Sequence, residues 1–514
     1  MPRRTFVYGA TILLGANLIN RILGFAYQYL IMTHIGGEAY GLFTMVFPVY
    51  MMALVLTTAG IPLAVSKMVS EEISLGHPRQ ARAIFHLALI VLIISGTVVS
   101  LGLFALAPNL TLKLFPDPRV INVFLICTPA IFVVSIASAF RGYFQGLQNM
   151  IPTALSQIFE QIVRVIVGFS VAERFLAKGV EWAAAGLAIG MLTGEIVGLI
   201  TIIFQYYKVK KKVIPTEGNF SLPQTQTLVK LWRLASPVTL GRLLSTGLST
   251  LDAMLIPLRL QVAGYGAREA TTLFGQLGGS AFTLLTFPSV FTFALSTSLV
   301  PAIAEASAQK RFQVVRNRSA EAIRLTVLLG IPCLIVLFYF ATPLTAFFKS
   351  STIAPVLRVL AIGGIFAYLQ QTTTGILQGL GKVQLPVIHS IIAAFFRIPV
   401  MFILTALPQW GLVGSAWSYV LGFFIMAVLN LMAIIRFTGL PLDLQHFILQ
   451  PLSAGLLMLL TFRLLTPLGL NNLLSFLGTL GAGLFVYALS LSLNGALTWS
   501  DLRRLPWLGK FLPF

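Results

Sequence analysis

The sequence predicts an all-α polytopic membrane protein, and three observations support this fold class. Hydrophobic residues occupy 57% of the 514 positions and charged residues only 10%, whereas soluble domains carry about 25% charged residues. Apolar runs long enough to cross a bilayer as helices recur from one end of the sequence to the other. The two halves of the sequence also resemble each other, as they do in many secondary transporters.

Fourteen apolar segments are candidate membrane spans. The N-terminal one superficially resembles a signal peptide, but no small-residue cleavage site followed by a soluble domain is visible, so we interpret it as the first span. The spans cover approximately residues 5–33, 40–66, 83–107, 119–140, 150–173, 183–207, 232–258, 270–300, 322–341, 354–376, 384–406, 412–435, 445–465 and 472–494.

The positive charges predict the orientation of the chain. If the N-terminus is cytoplasmic, the inside segments hold 22 of the 35 Lys and Arg residues, the outside segments seven and the spans six. Because cytoplasmic loops of membrane proteins are enriched in Lys and Arg, we expect both termini inside, in a bacterial cytoplasmic membrane. The net charge of +20 is thus explained mainly by the orientation of the chain in the membrane. Binding of the basic loops to anionic lipid headgroups is a second interpretation, and we do not expect binding to nucleic acid.

Arginines recur at matched places in the two halves. The segment GYFQGLQNMIP, which begins at Gly142, resembles GILQGLGKVQLP 233 positions later. Arg164 and Arg397 each follow the start of their segment by 22 residues. Earlier in each half, NRIL matches GRLL, which pairs Arg21 with Arg242. Four such matches in the same order indicate a duplicated unit, although shared helix-end composition is the alternative explanation.

Prolines are matched as well. FPVYMMALVLTTAGIPLAVSK resembles FPSVFTFALSTSLVPAIAEAS, so that Pro48 pairs with Pro288 and Pro62 with Pro301. A proline in a membrane helix permits a bend where neighbouring groups satisfy the backbone. We expect these four prolines to form hinges or bends that shape a cleft; simple tolerance of proline is the alternative.

The repeat predicts the domain organisation. Each unit holds six spans, an even number, so both units enter the membrane from the same side and form a parallel repeat with a pseudo-two-fold axis along the membrane normal. Two six-helix lobes are followed by two C-terminal helices. The predicted divisions are an N-terminal lobe at 1–207, a cytoplasmic linker at 208–231, a C-terminal lobe at 232–436, and a helix pair with a basic tail at 437–514.

Charged residues within the spans are the candidate functional residues, because a charge at bilayer depth must face a partner or a watered cavity. Glu160 and Arg164 are four residues apart on one helical face and can pair; a purely structural ion pair is the alternative. Arg164 has a repeat mate, whereas Glu160 falls opposite Ala393. We expect the arginines to bind an anionic group of the substrate: Arg21, Arg242, Arg164 and Arg397. We expect the acids to tune or couple transport: Glu160, Glu195 and Asp252.

Asp252 leaves three interpretations open: neutralising Arg397, accepting a proton, or coordinating a cation. It is the only metal-ligand candidate that we consider. The outside loops are short and offer no Ser/His/Asp set, His/Glu metal cluster or carboxylate pair, and no Walker-type phosphate loop occurs. The sequence therefore favours neither an enzyme nor a bound cofactor, and leaves Na⁺, H⁺ or the membrane potential as the energy source.

Two segments resemble a known family. RGYFQGLQNMIPTALSQIFEQIVRV and TLLTFPSVFTFALSTSLVPAIAEA are similar to the stage V sporulation protein B family, among the saccharide exporters of the MOP superfamily that also includes the MurJ-type lipid II flippases. The resemblance implies alternating access and a polyprenyl-diphosphate-linked saccharide as cargo. It also implies that Arg21 lines the cavity. The relatives' cavity arginines on spans 2 and 8 are absent, and span 11 lacks the acid that some relatives use with a span-7 acid to bind sodium.

These observations predict a flippase for a lipid II-like peptidoglycan precursor or a related lipid-linked oligosaccharide, acting as a monomer among membrane lipids. Guanidinium groups suit its diphosphate because they bind phosphate with two parallel hydrogen bonds and stay charged. An ion-coupled multidrug or organic-cation antiporter of the same architecture is the alternative, and it predicts a cavity rich in carboxylates. A membrane glycan polymerase or ligase is the third possibility.

Overall fold

The fold is entirely helical in the part of the chain that the structure describes. The computed structural model describes residues 4–213, 224–440, 445–466 and 473–495, and these ranges contain no β-strand. Thirteen helical segments within them are long and apolar enough to cross a membrane, and the N-terminal helix adds the predicted first span. The predicted fold class is confirmed. Residues 214–223 of the predicted linker and the basic tail lie outside the described residues.

The chain forms two compact units, which we call unit 1 and unit 2. Unit 1 comprises Met1–Thr283, Phe348–Ser350 and Thr405–Leu412. Its helices are long because their interiors are almost wholly apolar, and most end at a glycine or a short polar turn. They are α1 (Arg4–Leu30), α2 (Gly37–Thr58), α3 (Ile61–Ser74), α4 (Pro78–Leu114), α5 (Ile121–Gly146), α6 (Ile151–Leu176), α7 (Val180–Val213), α8 (Gln224–Val262) and α9 (Ala267–Gln276).

Unit 2 comprises Leu284–Phe347, Ser351–Leu404 and Val413–Phe514. A π-helical segment, Leu277–Phe282, joins α9 to the first short helix of the second set. The second set begins and continues as α10 (Thr283–Thr286), α11 (Ser289–Ala308), α12 (Phe312–Tyr339), α13 (Ala341–Phe347), α14 (Ala354–Gly379), α15 (Gln384–Leu404), α16 (Gly411–Thr438), α17 (Gln450–Leu465) and α18 (Leu473–Leu493).

The two units divide the chain differently from the predicted lobes. Helices α8 and α9 correspond to the seventh span and the start of the eighth, and by their contacts they belong to unit 1. The lobe boundaries proposed from the repeat describe the order of spans rather than the packing of helices, and they remain a prediction.

A stripe of four glycines brings α6 and α7 together over about three turns. On α7 the glycines recur every fourth residue, so they lie on one face. A Cβ atom added at Gly190 would collide with the backbone of Gly168 on α6, and one added at Gly186 would come within 2.6 Å of Ala172 Cα. Small residues let membrane helices approach to backbone contact. The stripe consists of Gly186, Gly190, Gly194 and Gly198.

The helices that carry the four matched prolines break at different places in the two units. In unit 1 the break lies between α2 and α3, where Ala59 and Gly60 have left-handed φ values of 43° and 67°. Pro62 follows in the first turn of α3, and Pro48 lies inside α2. The freed carbonyl of Thr57 accepts a hydrogen bond from Ser95 Oγ at 3.1 Å, as a broken membrane helix requires.

In unit 2 the break lies at Phe287 and Pro288, immediately before α11. The hydroxyl of Ser289 donates to the carbonyl of Thr286 at 2.6 Å and so satisfies one group at the break. Pro301 lies inside the continuous helix α11. The break in unit 1 thus lies beside Pro62, the second matched proline of its half, and the break in unit 2 lies at Pro288, the first matched proline of its half. Whether any of the four prolines acts as a hinge remains a prediction.

Candidate functional site

The polar face of α6 carries the first predicted pair. Glu160 and Arg164 face the same way because they are four residues apart, and Arg164 Nη2 donates to Glu160 Oε1 at 2.6 Å. Gln161 Oε1 lies 3.5 Å from Arg164 Nη1. The predicted pairing on one helix is thus present in the structure.

A second acid reaches the same guanidinium from the next helix. Glu195, on α7, accepts a hydrogen bond from Arg164 Nη2 at 2.8 Å, and the residue is only 7% exposed. The glycine stripe makes this possible: a Cβ atom at Gly194 would lie 2.8 Å from the carbonyl oxygen of Glu160 and 3.1 Å from Arg164 Cβ. Glu195 therefore joins the pair because the residue before it has no side chain.

A second arginine completes the group, which we call the α6 charge cluster: Arg141, Glu160, Arg164 and Glu195. Arg141 Nη2, on α5, donates to Glu160 Oε2 at 2.7 Å. Both oxygens of Glu160 thus accept from guanidinium groups, and two cations balance two anions. Balance matters because breaking a buried ion pair leaves an uncompensated charge, at a cost of about 3–5 kcal/mol.

Arg21 lies on α1, which packs against the polar face of α6. Gly24, three residues after Arg21 and on the same helical face, lies opposite Gln161, whose Nε2 would be 4.0 Å from a Cβ atom at this glycine. One turn further along, the hydroxyl of Tyr27 lies so close to Gly168 that a Cβ atom there would collide with it. The half-buried Arg21 is therefore on the α1 face that borders the α6 charge cluster.

The remaining predicted residues of unit 1 lie on α8. Arg242 is exposed, and its carbonyl accepts from the hydroxyls of Ser245 and Thr246. Asp252, ten residues later, is buried, with 9% exposure. Ten residues are nearly three turns of helix, so the structure does not bring the two side chains of α8 together. The three interpretations of Asp252 remain predictions.

Arg397 belongs to α15 in unit 2 and has an aromatic neighbour. Its guanidinium carbon lies 4.8 Å from the centre of the Tyr419 ring on α16, within the range of a cation–π interaction. A Cβ atom at Gly422 would lie 2.7 Å from Arg397 Cδ, so a glycine again allows the arginine to pass close to the next helix. Arg397 is 8% exposed.

Sequence reasoning missed the role of Arg141, which it treated as an inside-loop cation. The hydropathy window ends near residue 140, but α5 continues to Gly146 and places Arg141 against α6. The spacing of the α7 glycines, four residues apart, was the signal that could have placed Glu195 beside Arg164.

Sequence reasoning also missed a second ion cluster at the opposite ends of the helices. Arg119 donates to Asp117 at 2.7 Å and to Glu38, at the start of α2, at 2.6 Å. Asp117 also accepts from the hydroxyl of Thr271 on α9 at 2.9 Å. Burial raises the pKa of Asp117, but the hydrogen bonds from Arg119 and Thr271 outweigh burial and hold this pKa below its ordinary value. The cluster ties three helices of unit 1 together.

Among the described residues no group of three or more His, Cys, Asp and Glu side chains is arranged to hold a metal ion. His389 is buried in unit 2, where its Nδ1 lies 2.7 Å from Asn430 Oδ1, and Asn430 Nδ2 donates to the hydroxyls of Thr373 and Thr374 at 3.2 Å. This network links α14, α15 and α16.

Comparison with known protein families identifies the family to which this chain belongs. The model of the family described as polysaccharide biosynthesis protein matches residues 6–305, which is more than half of the chain. The chain belongs to this family. A second model, MatE, matches residues 277–403 of this polysaccharide biosynthesis family member.

Two curated relatives come from Bacillus subtilis (strain 168). Stage V sporulation protein B is 30% identical over 523 aligned residues, which cover 100% of both chains. Lipid II flippase MurJ is 25% identical over 466 residues, which cover 84% of this chain and 82% of that protein.

Solved structures share the fold. The inward closed conformation of lipid II flippase MurJ superimposes with a TM-score of 0.72 at 18% identity, covering 94% of this chain and 98% of that one. The inward-facing conformation of a multidrug resistance MATE transporter of the MOP superfamily gives 0.67 at 16% identity, covering 84% and 98%. The chain is thus a multi-pass MOP-superfamily transporter. Lipid flippases and multidrug transporters share this architecture.

Proposed function

We propose that this protein moves a polyprenyl-diphosphate-linked saccharide, such as a lipid II-like peptidoglycan precursor, from the inner to the outer leaflet by alternating access. The observation that carries the proposal is the arginine content of the spans: Arg164 lies in the middle of a membrane helix, and α1 with Arg21 packs against that helix. A guanidinium at this depth is costly unless it serves a function or has a partner, and a diphosphate is the ligand that it suits best.

The relatives support this choice of cargo. One that matches this chain over four-fifths of both lengths is named a lipid II flippase, and one that matches over the full length is named a sporulation protein. The diphosphate binds near Arg21 and Arg242, with Arg164 and Arg397 further along the path. The sugar occupies the watered space, and the polyprenyl tail stays in the bilayer.

The protein acts in the bacterial cytoplasmic membrane as a monomer, with both termini inside. This orientation puts the excess of Lys and Arg in the cytoplasm. A membrane potential that is negative inside favours outward movement of an anionic headgroup, by about 2.3 kcal/mol per charge per 100 mV. The potential, a proton or a sodium ion then drives the cycle without a bound cofactor.

The test is transport in reconstituted vesicles with a fluorescent polyprenyl-diphosphate saccharide. Arg21 and Arg242 are replaced singly by Ala and by Lys. We expect each Ala variant to lose at least about tenfold in rate, equivalent to ~1.4 kcal/mol, and each Lys variant to recover part of the rate because Lys keeps the charge but not the paired hydrogen bonds. Arg463→Ala, which removes an exposed arginine near a span end, is the matched control. Unchanged transport in all four folded variants would reject this diphosphate site.

The MatE match over residues 277–403 favours a second candidate, an ion-coupled exporter of organic cations. The two functions differ in the ligand that stabilises the protein. A lipid-linked diphosphate raises the melting temperature of a flippase, and an organic cation raises that of a multidrug exporter, because each binds only the folded state. Stabilisation by organic cations alone would select the second function.

A further inference from the structure

Glu195 has one carboxylate oxygen that accepts no hydrogen bond in the α6 charge cluster. Its Oε1 accepts from Arg164, but its Oε2 is closed to solvent and makes no hydrogen bond. Glu160 differs, because both of its oxygens accept from arginines. A buried carboxylate oxygen without a donor is costly, and a proton is the one cation that needs no additional space.

The two carboxyl groups are neighbours, because Glu160 Oε1 and Glu195 Oε1 accept from the same nitrogen at 2.6 and 2.8 Å. Arg164 presently makes a proton on Glu195 unnecessary, because a single nitrogen, Nη2, donates to both acids. If that nitrogen moves away, the two carboxylates keep one arginine partner, Arg141, which donates to Glu160. Two neighbouring negative charges then face a single guanidinium, and a proton on one acid restores the balance of charge.

Helices α1, α2, α5 and α6 supply the neighbouring charged and titratable groups, and among the described residues these neighbours include no third acid. The nearby charges are positive, and the nearby phenols and thiol are neutral near pH 7. A sodium ion in the same place would lie beside two guanidinium groups. The titratable and charged neighbours are Arg164 on α6, Arg141 and Cys127 on α5, Tyr50 on α2 and Tyr27 on α1.

We propose that Glu160 and Glu195 form a one-proton site that fills when Arg164 is drawn away, and that a phosphate group of the cargo draws it. The second half rests on the proposed function. The hydrogen bonds from Arg164 Nη2 to the two carboxylates break and are replaced by bonds to phosphate oxygens, while one proton enters from water onto Glu195 Oε2. The net charge of the two carboxyl groups changes from −2 to −1 as the Arg164 side chain moves away from them.

The proton site is tested without cargo by infrared difference spectroscopy of the purified protein. In Arg164→Gln the guanidinium is absent, so we expect a protonated-carboxyl C=O band at neutral pH. The band disappears or shifts in Arg164→Gln/Glu195→Gln and is unaffected in Arg164→Gln/Glu173→Gln, which removes an exposed acid of α6. No band in a folded Arg164→Gln protein would overturn the proposal.

The phosphate trigger is tested by calorimetry with a polyprenyl diphosphate in buffers of different ionisation enthalpy. We expect the wild-type protein to take up close to one proton per lipid bound and Glu195→Gln to take up none while still binding. Binding without proton uptake by the wild type would overturn the trigger. If the lipid does not bind at any pH, the proposed function and the trigger both fail, whereas the infrared result still decides whether the proton site exists.

Discussion

Two repeat-related arginines have different surroundings, although each passes a glycine of the next helix. In unit 1, Arg164 donates to Glu160 and Glu195. In unit 2, Arg397 stacks on the ring of Tyr419. The positions that correspond to the two acids are apolar, because Ala393 matches Glu160 and Phe423 follows Gly422 as Glu195 follows Gly194.

This difference indicates that the matched arginines of the two halves have different roles. An arginine stacked on an aromatic ring is not neutralised by that contact, because the ring carries no formal negative charge. An arginine that donates to two carboxylates can bind another anion only if its hydrogen bonds to those carboxylates break. The duplicated arginine is thus the common feature, and the acids of unit 1 make one copy dependent on protons.

The largest effect is expected from removing Arg164. Arg164→Ala leaves the buried Glu195 and the partly buried Glu160 without their shared donor, so we expect a loss of about 3–5 kcal/mol in stability. Arg397→Ala loses the cation–π contact, worth about 0.5–2 kcal/mol. Thermal unfolding in detergent compares the two variants. Adding Glu195→Gln to Arg164→Ala recovers part of the loss; equal losses in both single variants would remove the distinction between the units.

Gly190→Ala is expected to destabilise the protein by about 1–3 kcal/mol, as overpacking of a close contact does. The added methyl collides with the backbone of Gly168, which no change of rotamer relieves. Gly478→Ala is the matched control, because a Cβ atom at this α18 glycine meets nothing within 4 Å. Both melting temperatures are measured in detergent, and similar values would mean that α6 and α7 separate easily.

Placing an acid in unit 2 sharpens the comparison. Ala393→Glu puts a carboxylate four residues before Arg397, where unit 1 has Glu160. We expect about a tenfold loss of affinity for a lipid-linked diphosphate, equivalent to ~1.4 kcal/mol, because the new acid competes for the guanidinium. Ala393→Gln controls for the size of the side chain. Unchanged diphosphate affinity in a folded Ala393→Glu protein would show that Arg397 does not contact the cargo.

Glu160→Gln is expected to keep the fold but change transport, since the amide still fills the space between the two arginines while releasing both charges. Melting temperature and transport are measured on the same preparation. If Glu160→Gln does not fold while Arg164→Gln is tolerated, the α6 charge cluster is structural and the comparison between the units carries no functional meaning.

The smallest effect concerns Asp117 at the ends of the helices. Its pKa is held below the ordinary value of 3.8, so its contribution to stability is complete above that value and is lost as pH falls through the native pKa. We expect the melting temperature to fall in this acidic range. Asp117→Asn lowers the melting temperature at neutral pH and flattens the decline. An equally steep decline in the variant would assign it to other groups.

The sequence predicted the features that depend on local spacing and failed on those that depend on helix packing. Apolar run lengths predicted the spans, and the interval of four residues predicted the Glu160–Arg164 pair. Glu195 was recognised as an intramembrane acid, but its partner depends on how closely α7 approaches α6, and the glycine spacing that permits this approach does not say which helix α7 packs against. Arg141 lies beyond the predicted fourth span because hydropathy falls before the helix ends. The break at Ala59 and Gly60 lies just before the matched proline Pro62.

The glycine stripe has a mechanical consequence for the transport cycle. Two helices in close contact over about three turns resist sliding past each other, because shear drives backbone atoms of one helix into those of the other. The pair α6–α7 therefore behaves as one stiff rod during any larger motion. The backbones of Glu160 and Glu195 then keep their separation during such a motion, so that rotation of the Arg164 side chain and the binding of a proton change the charge balance between them.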